Sequence, residues 1–402
     1  MPLDSPITTI ALADTRWVGH HPTFFREISA ACQRLGLFVI ALCPEPGELE
    51  ATDRMFAAPL RPSNAGLLRG LEHDPVSTVA RWWAVRRALD RAERECGRRA
   101  GAVFFPYADG LLRGLPGAVI PDVVLGRPWS GLYFRPQHLL SSERPPVSRL
   151  RGWAKGDHGW RSRSTLPCLA VLDERCVHAV AAISGREVVA FPDITDESPA
   201  AQHSPLAQTL QARAQGRPII GLAGSLEKRK GLITLLRTAE ASAGAGDPWF
   251  FAAVGTFADE TFEPHELTWI DATCRRLADV VFLDRSRQRI PDGPEYNAVF
   301  SSFAVAWAAY EGFQGSSNSL TKAAMLHIPV IATTGECIGH RVHEYALGAT
   351  IAEGDHRAAR DAIARILAED HAGSINRRFA AYHRMHDRPR LEATLRRLLT
   401  LP

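Results

Sequence analysis

Short apolar runs alternate with segments of helical periodicity along the chain. The first half opens with Ile7 to Ala13, passes through a loop holding Gly19-His20-His21-Pro22, and then places apolar residues at Phe24, Ile28, Ala31 and Leu35. That order predicts strand, loop and helix. Leu37 to Leu42, closed by Pro44 and Pro46, reads as a buried strand, and so does Ala102 to Phe105, which leads into Tyr107-Ala108-Asp109-Gly110. Arg81 to Arg99 carries Trp82, Val85, Leu89 and Ala92 at helical spacing with arginines on the other faces, an amphipathic basic helix. Leu169 to Leu172 and Val188 to Phe191 complete this half as further strands. Short continuous apolar strands separated by helices predict a parallel sheet covered on both faces.

The second half repeats the alternation. Ile219 to Ala223, Phe250 to Val254, Val280 to Leu283, Ala304 to Ala308, Pro329 to Ala332 and Ala349 to Ala352 read as strands, each followed by a helical stretch. A second doubly wound sheet is the expectation. The segment between the halves is rich in Pro, Ser, Gln and Ala. The expected organisation is a first domain over residues 1–195, a linker over 196–214, a second domain over 215–380, and a C-terminal helix over 381–402 that crosses back to the first domain. A length of 402 residues suits two cores better than one.

Composition narrows the class. Forty-seven Lys and Arg against 44 Asp and Glu leave a net charge of +3, too balanced to point to nucleic acid. The seven cysteines are scattered and none forms a Cys-x-x-Cys pair, so neither a disulfide framework nor a zinc site is expected, and a reducing, cytoplasmic setting fits. No signal-peptide pattern opens the chain, and no stretch approaches about 20 uninterrupted apolar residues, so export and membrane spanning are not expected.

In a doubly wound sheet, ligands sit beyond the carboxyl ends of the strands, which makes strand-to-helix loops the informative ones. Gly224-Ser225-Leu226-Glu227-Lys228-Arg229-Lys230-Gly231 follows one strand and opens a helix. Adjacent cations at a helix N-terminus have the wrong sign for the helix dipole unless an anion offsets them. A diphosphate would do so; a solvated basic turn is the competing reading. The second loop runs Tyr310-Glu311-Gly312-Phe313-Gln314-Gly315-Ser316-Ser317-Asn318-Ser319 before a helix through Leu320, Ala324 and Leu326. Gly315 permits close backbone approach, and Ser316, Ser317, Asn318 and Ser319 offer polar side chains and helix-start amides to a phosphate, although the same residues are ordinary helix caps. No Asp-x-Asp pattern stands ready for Mg²⁺ or Mn²⁺, so no metal is expected.

Over roughly residues 215 to 370 the sequence resembles the family-four retaining glycosyltransferases of the GT-B fold, in a divergent bacterial form. The likeness rests on Lys230-Gly231 at the first helix, on Glu311-Gly312-Phe313 after a later strand, and on Ala323 to Ala332, which contains Pro329-Val330. It implies two Rossmann-like doubly wound parallel-sheet domains facing a cleft. It also implies transfer of a sugar from a nucleotide-diphosphate sugar to an acceptor hydroxyl, with retention and without a metal or cofactor. By resemblance Glu311 contacts the donor sugar. Lys230 and Arg229 stabilise the leaving diphosphate, and Gly224, Ser225, Gly312, Phe313, Gly315, Ser316, Ser317, Asn318 and Ser319 complete the donor site. Two departures stand out. Ser225 replaces a common arginine, and the family's second glutamate, which holds the donor ribose, falls on Lys322 or on Ser319 according to the alignment.

The first half matches this family only in architecture. Its candidates for the acceptor side are His20 and His21 before the first helix and Asp109 after the Ala102 to Phe105 strand, with helix entry and an Asx turn as the competing readings. The acceptor is expected to be a glycan, a lipid-linked molecule or a small molecule. Basic segments with Trp82, Trp153 and Trp160 leave peripheral membrane contact open beside a plainly packed helix. Two other functions stay open: a catalytically inactive GT-B subunit or glycan-binding partner, and a nucleotide-sugar epimerase.

Overall fold

The computed structural model describes residues 6–17, 21–61, 75–112, 119–140, 150, 152–372 and 377–401. The chain divides into two compact units, Met1–Ile194 with His386–Pro402, and Thr195–Met385.

The first unit is built on seven parallel strands in the order β3-β2-β1-β4-β5-β6-β7. They are β1 (Thr9–Ala13), β2 (Phe38–Cys43), β3 (Met55–Pro59), β4 (Ala102–Phe105), β5 (Trp129–Tyr133), β6 (Cys168–Val171) and β7 (Glu187–Ala190). Alternate residues of each strand enter opposite cores, as the two-residue strand period requires. Ala11 and Ala13 join Val103 and Phe105 under the helix Pro75–Cys96, whereas Ile10 and Leu12 join Ala102 and Phe104 under the helix His21–Arg34.

Two strands have no counterpart in the sequence reading. β3 is a short edge strand that ends in Pro59, tolerable there because an edge residue need not donate to the ladder. β5 reads Trp-Ser-Gly-Leu-Tyr, and its Ser130 and Gly131 interrupt any apolar pattern. A side chain at Gly131 would come within 3.0 Å of the Phe105 carbonyl and of the Ala108 Cβ, so close packing dictates the glycine.

The C-terminal helix Arg388–Leu398 belongs to this first unit. Leu391, Leu395 and Leu398 enter the core beside Phe25 and Ile28, and Arg388 and Glu392 pair with Glu27 and Arg34 at the rim. Asp387 caps the helix by accepting the Arg390 amide at 2.9 Å, and Pro389 stands in its first turn, where a missing amide costs nothing.

The second unit has six parallel strands in the order β10-β9-β8-β11-β12-β13. They are β8 (Ile219–Leu226), β9 (Phe250–Phe257), β10 (Val281–Leu283), β11 (Val305–Ala308), β12 (Val330–Thr333) and β13 (Gly348–Ile351). Strands β8 and β9 run three residues past their apolar cores, pairing Gly224 with Gly255 and Ser225 with Thr256. Within the stretch read as a linker, Pro205–Ala214 is a helix. Ser204 caps it by accepting the Ala207 amide at 3.1 Å, and Ala207, Leu210 and Ala214 pack into the second unit's core. Each sheet reverses its strand order once, at β1/β4 and at β8/β11, and such reversals open a crevice at the carboxyl ends of the strands.

Candidate functional site

The β8/β11 reversal places the two candidate loops of the second unit side by side. After β8, Lys228–Lys230 form a short 3-10 turn of their own, so the three basic residues precede the helix Leu232–Ala245 rather than occupy its first turn. Gly231 joins turn to helix at φ +73°, and a Cβ there would lie 2.2 Å from the Ala309 carbonyl. The glycine thus lets the turn rest directly on the end of β11. The Glu311 amide adds to that contact by donating to the Arg229 carbonyl at 2.9 Å.

The cations are already organised by neighbouring side chains. Lys230 Nζ donates to Tyr310 Oη at 2.7 Å and lies 4.0 Å from the centre of the same ring. Arg229 Nε donates to Glu227 Oε2 at 2.5 Å, and its guanidinium stands 5.1 Å over the Phe313 ring. Ser225 Oγ donates to the other Glu227 oxygen at 2.8 Å. Partial burial works against ionising Glu227, but the hydrogen bond from Ser225 and the charge of Arg229 outweigh it and hold the carboxyl below its ordinary value. Lys228 turns away to pair with Glu266 at 2.6 Å.

In the second loop, Ser317 occupies the N-cap position of the helix Asn318–Met325, yet its hydroxyl makes no bond to the helix amides. It faces Tyr310 Oη instead, at 3.0 Å, and Tyr310 Oη also donates to Ser319 Oγ at 3.3 Å. The ordinary-cap reading of Ser317 therefore does not describe its side chain. Ser316 Oγ accepts from the buried Arg341 at 2.5 Å, and Asn318 Oδ1 accepts from Thr195 Oγ1 at 3.2 Å. Glu311, half-buried, accepts from the Thr234 hydroxyl at 2.6 Å. The Gly312 amide donates to Glu353 at 2.8 Å. Phe313 packs edge-on against Tyr310 at 5.5 Å, and Gly315 is half-buried between these contacts in sequence. Gly224, at φ +110°, closes the site from β8, where an added Cβ would meet the Tyr296 hydroxyl at 3.2 Å.

Thus Lys230, Ser317 and Ser319 converge on Tyr310, while Glu311, Arg229 and Phe313 flank that cluster. Lys322 is engaged with Asn297 and Asp196. Its side chain is buried, and its ammonium donates to Asn297 Oδ1 at 2.5 Å and to the Asp196 carbonyl. A lysine fits there because two oxygens replace the water that burial removes.

In the first unit, His20 lies outside the described residues. His21 opens its helix with Nδ1 2.8 Å from Asp14 Oδ2, and its ring packs 4.6 Å from Tyr107. Asp14 follows β1 and Tyr107 follows β4, so this pair marks the β1/β4 reversal. Asp109 is buried, and its two oxygens accept the Phe134 and Arg135 amides at 2.8 and 2.9 Å. Burial pushes its carboxyl up against the opposing pull of those amides. Its contacts are those of a clamp on the loop after β5. Trp82 and Trp160, grouped with Trp153 in the membrane-contact reading, are fully buried; Trp82 donates to the Leu111 carbonyl at 2.7 Å. Trp153 is exposed, as is Trp83 one position along.

Sequence reasoning passed over Tyr310, Thr234 and Asp14. Tyr310 opens the second candidate loop, and Asp14 directly follows the first strand. Thr234 carries no signal, because a threonine on an apolar helix face reads as packing.

No protein-family model matches the chain, and no curated protein matches it in sequence. Solved structures do match over its whole length. Sucrose-phosphate synthase from Thermosynechococcus elongatus aligns at 15% identity with a TM-score of 0.68, covering 98% of each chain. Anabaena HepE in complex with UDP and glucose aligns at 11% identity and a TM-score of 0.66, covering 98% of this chain and 99% of that one. WaaG, a glycosyltransferase involved in lipopolysaccharide biosynthesis, aligns at 13% identity and a TM-score of 0.60 with 98% and 99% covered. At such identities the likeness is one of architecture, and the two all-parallel units of this chain have the GT-B fold of these glycosyltransferases.

Proposed function

We propose that the chain is a glycosyltransferase that moves a sugar from a nucleotide-diphosphate sugar to an acceptor hydroxyl. One observation carries the reading: at the β8/β11 reversal, the Lys230 ammonium and the Ser317 and Ser319 hydroxyls converge on Tyr310. Cations and hydroxyl donors at a strand-to-helix edge suit a diphosphate. HepE, of the same fold, is described in complex with UDP and glucose.

The transfer is proposed to proceed with retention and without a metal. Lys230 and Arg229 meet the charge that develops on the leaving diphosphate, and the departing phosphate takes the acceptor's proton. Stabilising that charge is the main task, since preorganised charges act on it without reorganising. Glu311, steadied by Thr234, holds the sugar hydroxyls. On the acceptor side, His21 and its partner Asp14 are the polar groups at the corresponding reversal of the first sheet.

The test is a thermal-shift panel of UDP, GDP, ADP, dTDP and CMP with and without EDTA, followed by a transfer assay with the sugar forms of any nucleotide that binds. A ligand at about 100 times its Kd stabilises by about 2.7 kcal/mol. Selective, EDTA-insensitive stabilisation is the expected result; no shift with any nucleotide rejects the donor site, and a shift that EDTA abolishes rejects metal independence.

A binding-only role draws support from Lys322. Neither Lys322, engaged with Asn297, nor Ser319, engaged with Tyr310, supplies the carboxylate that the family uses for the donor ribose. Turnover with any donor removes this reading; nucleotide binding alone does not.

Peripheral membrane contact belongs to the proposal for a lipid-linked acceptor. Trp83, Val119, Val123 and Trp153 of the first unit are exposed, and the exposed Arg87 follows Trp83 by one helical turn. Among the described residues, no helix is long and apolar enough to cross a membrane. Sedimentation with anionic vesicles that is lost in Trp83→Ser/Trp153→Ser is the expected outcome, and equal recovery of both proteins would reject the contact.

A further inference from the structure

Lys230 is held by Tyr310, the first residue of the second loop. Tyr310 is 2% exposed and fixed from several sides. Its carbonyl accepts from Thr333 Oγ1 at 2.5 Å, its amide donates to the Ala308 carbonyl at 2.9 Å, and its ring packs against Phe313. Onto this rigid ring Lys230 brings its ammonium twice, through the 2.7 Å hydrogen bond to the phenol and the 4.0 Å approach to the ring centre. The phenol links the ammonium to Ser317 and Ser319. A lysine side chain is a point charge on a flexible stem, and fixing it in advance lowers the entropy lost when an anion arrives.

We propose that Tyr310 is a positioning residue for donor uptake: it holds the Lys230 ammonium beside Ser317 and Ser319 and presents its remaining protons to the diphosphate of the incoming nucleotide sugar. This rests on the reading of the loop pair as a nucleotide-sugar site.

The contact also makes uptake pH dependent. Burial alone would raise the Tyr310 phenol, but the Lys230 charge and the hydrogen bonds of Lys230, Ser317 and Ser319 outweigh it and bring the phenol below the ordinary tyrosine value. The groups that face it are Lys230 from the 3-10 turn, Ser317 and Ser319 from the serine loop, and Tyr296 from the helix Pro294–Ser301, whose own phenol burial pushes up. Arg229 stands one ring further out, over Phe313. A diphosphate bound at the same ammonium adds negative charge beside the Tyr310 phenol and raises it again. Above the free-state value, binding therefore takes up a proton, and affinity falls as pH rises.

The experiment is calorimetry of UDP, ADP, GDP and dTDP with the full chain, at about pH 7.5 and about pH 9.5, in two buffers of different ionisation enthalpy. Wild type, Tyr310→Phe, Lys230→Met and the double variant are compared. For the nucleotide that wild type binds, Tyr310→Phe is expected to weaken binding about fivefold at the lower pH, because a Lys230 side chain no longer held in advance gives up more freedom when the anion arrives. It is also expected to abolish proton uptake at the higher pH, and the double variant to bind no more weakly than Lys230→Met alone. Wild-type affinity with retained proton uptake in Tyr310→Phe overturns the proposal. So do additive losses in the double variant, because a phenol acting through Lys230 has nothing left to lose once the ammonium is gone. Should Tyr310→Phe fail to fold, wild-type affinity in Lys230→Met overturns the proposal, because the ammonium that Tyr310 holds would then have no part in binding. If the folded wild-type chain binds none of the four nucleotides, the donor-site reading falls and this proposal with it.

Discussion

The Thr234 hydroxyl donates to Glu311 Oε1 at 2.6 Å, joining a buried position on the helix Leu232–Ala245 to the loop after β11. The contact fixes the direction of a carboxylate proposed to hold the donor sugar. Thr234→Val keeps shape and removes the bond, so transfer should fall roughly tenfold while the melting temperature changes little. Glu311→Ala should abolish transfer and leave the fold intact. Steady-state rates with an identified donor, read beside melting curves, check both; wild-type transfer by Glu311→Ala would remove Glu311 from the reaction.

Gly231 and Gly312 both adopt positive φ, but only Gly231 is crowded. A Cβ on Gly231 meets the Ala309 carbonyl at 2.2 Å, whereas one on Gly312 meets nothing within 4 Å. Gly231→Ala is expected to destabilise the chain by more than about 2 kcal/mol, through backbone strain and the displaced turn together. Gly312→Ala should cost only the strain of the left-handed conformation, about 1 kcal/mol. Urea unfolding midpoints distinguish them, and equal losses would show that contact with β11 contributes nothing.

Lys322→Met removes an ammonium that satisfies Asn297 Oδ1 and the Asp196 carbonyl in a buried setting. Leaving the buried Asn297 Oδ1 without this donor should cost about 2 kcal/mol. Nucleotide affinity, measured where the variant is fully folded, should stay within about threefold of wild type, because the ammonium is committed to Asn297 and Asp196. A large loss of affinity without loss of stability would return Lys322 to the donor site.

Asp247 and Arg360 form a two-pronged pair in the second unit at 2.6 and 2.9 Å. The hydrogen bonds from Arg360, with that of Ser242, hold the Asp247 carboxyl below its ordinary value. An acid with a depressed folded-state pKa stabilises the fold above its unfolded value, and loses that contribution as pH falls through the folded one. The stability gap between wild type and Asp247→Asn should therefore narrow between about pH 5 and about pH 2. Denaturation midpoints across that range test it, and a constant gap would assign the loss to packing.

Much of the fold was legible because parallel sheets write themselves plainly. Runs such as Ile10 to Ala13 and Ala102–Phe105 are apolar at every position, since both faces of such a strand are covered. Trp82, Val85, Leu89 and Ala92 face one core as their spacing requires. β5 escaped notice because the need for a glycine at residue 131 comes from Phe105 and Ala108, which are distant in sequence. β8 outran its apolar core because Gly224 and Ser225 are held by pairing with β9, a bond pattern that composition does not encode.

The same division holds at the site. Local sequence determined that two polar loops follow strands and precede helices, and that Lys230, Glu311 and the serines lie in them, because loop position and helix starts depend on neighbours a few residues away. Tertiary structure alone decided what these side chains touch. Ser317, a natural helix cap, turns to Tyr310; Lys230 settles on the same phenol from a loop about 80 residues earlier; and Lys322, adjacent to the serines along the chain, points into a buried contact with Asn297. Those partners are set by the β8/β11 reversal and by helix rotation, which bring together residues whose separation along the chain carries no trace of their contact.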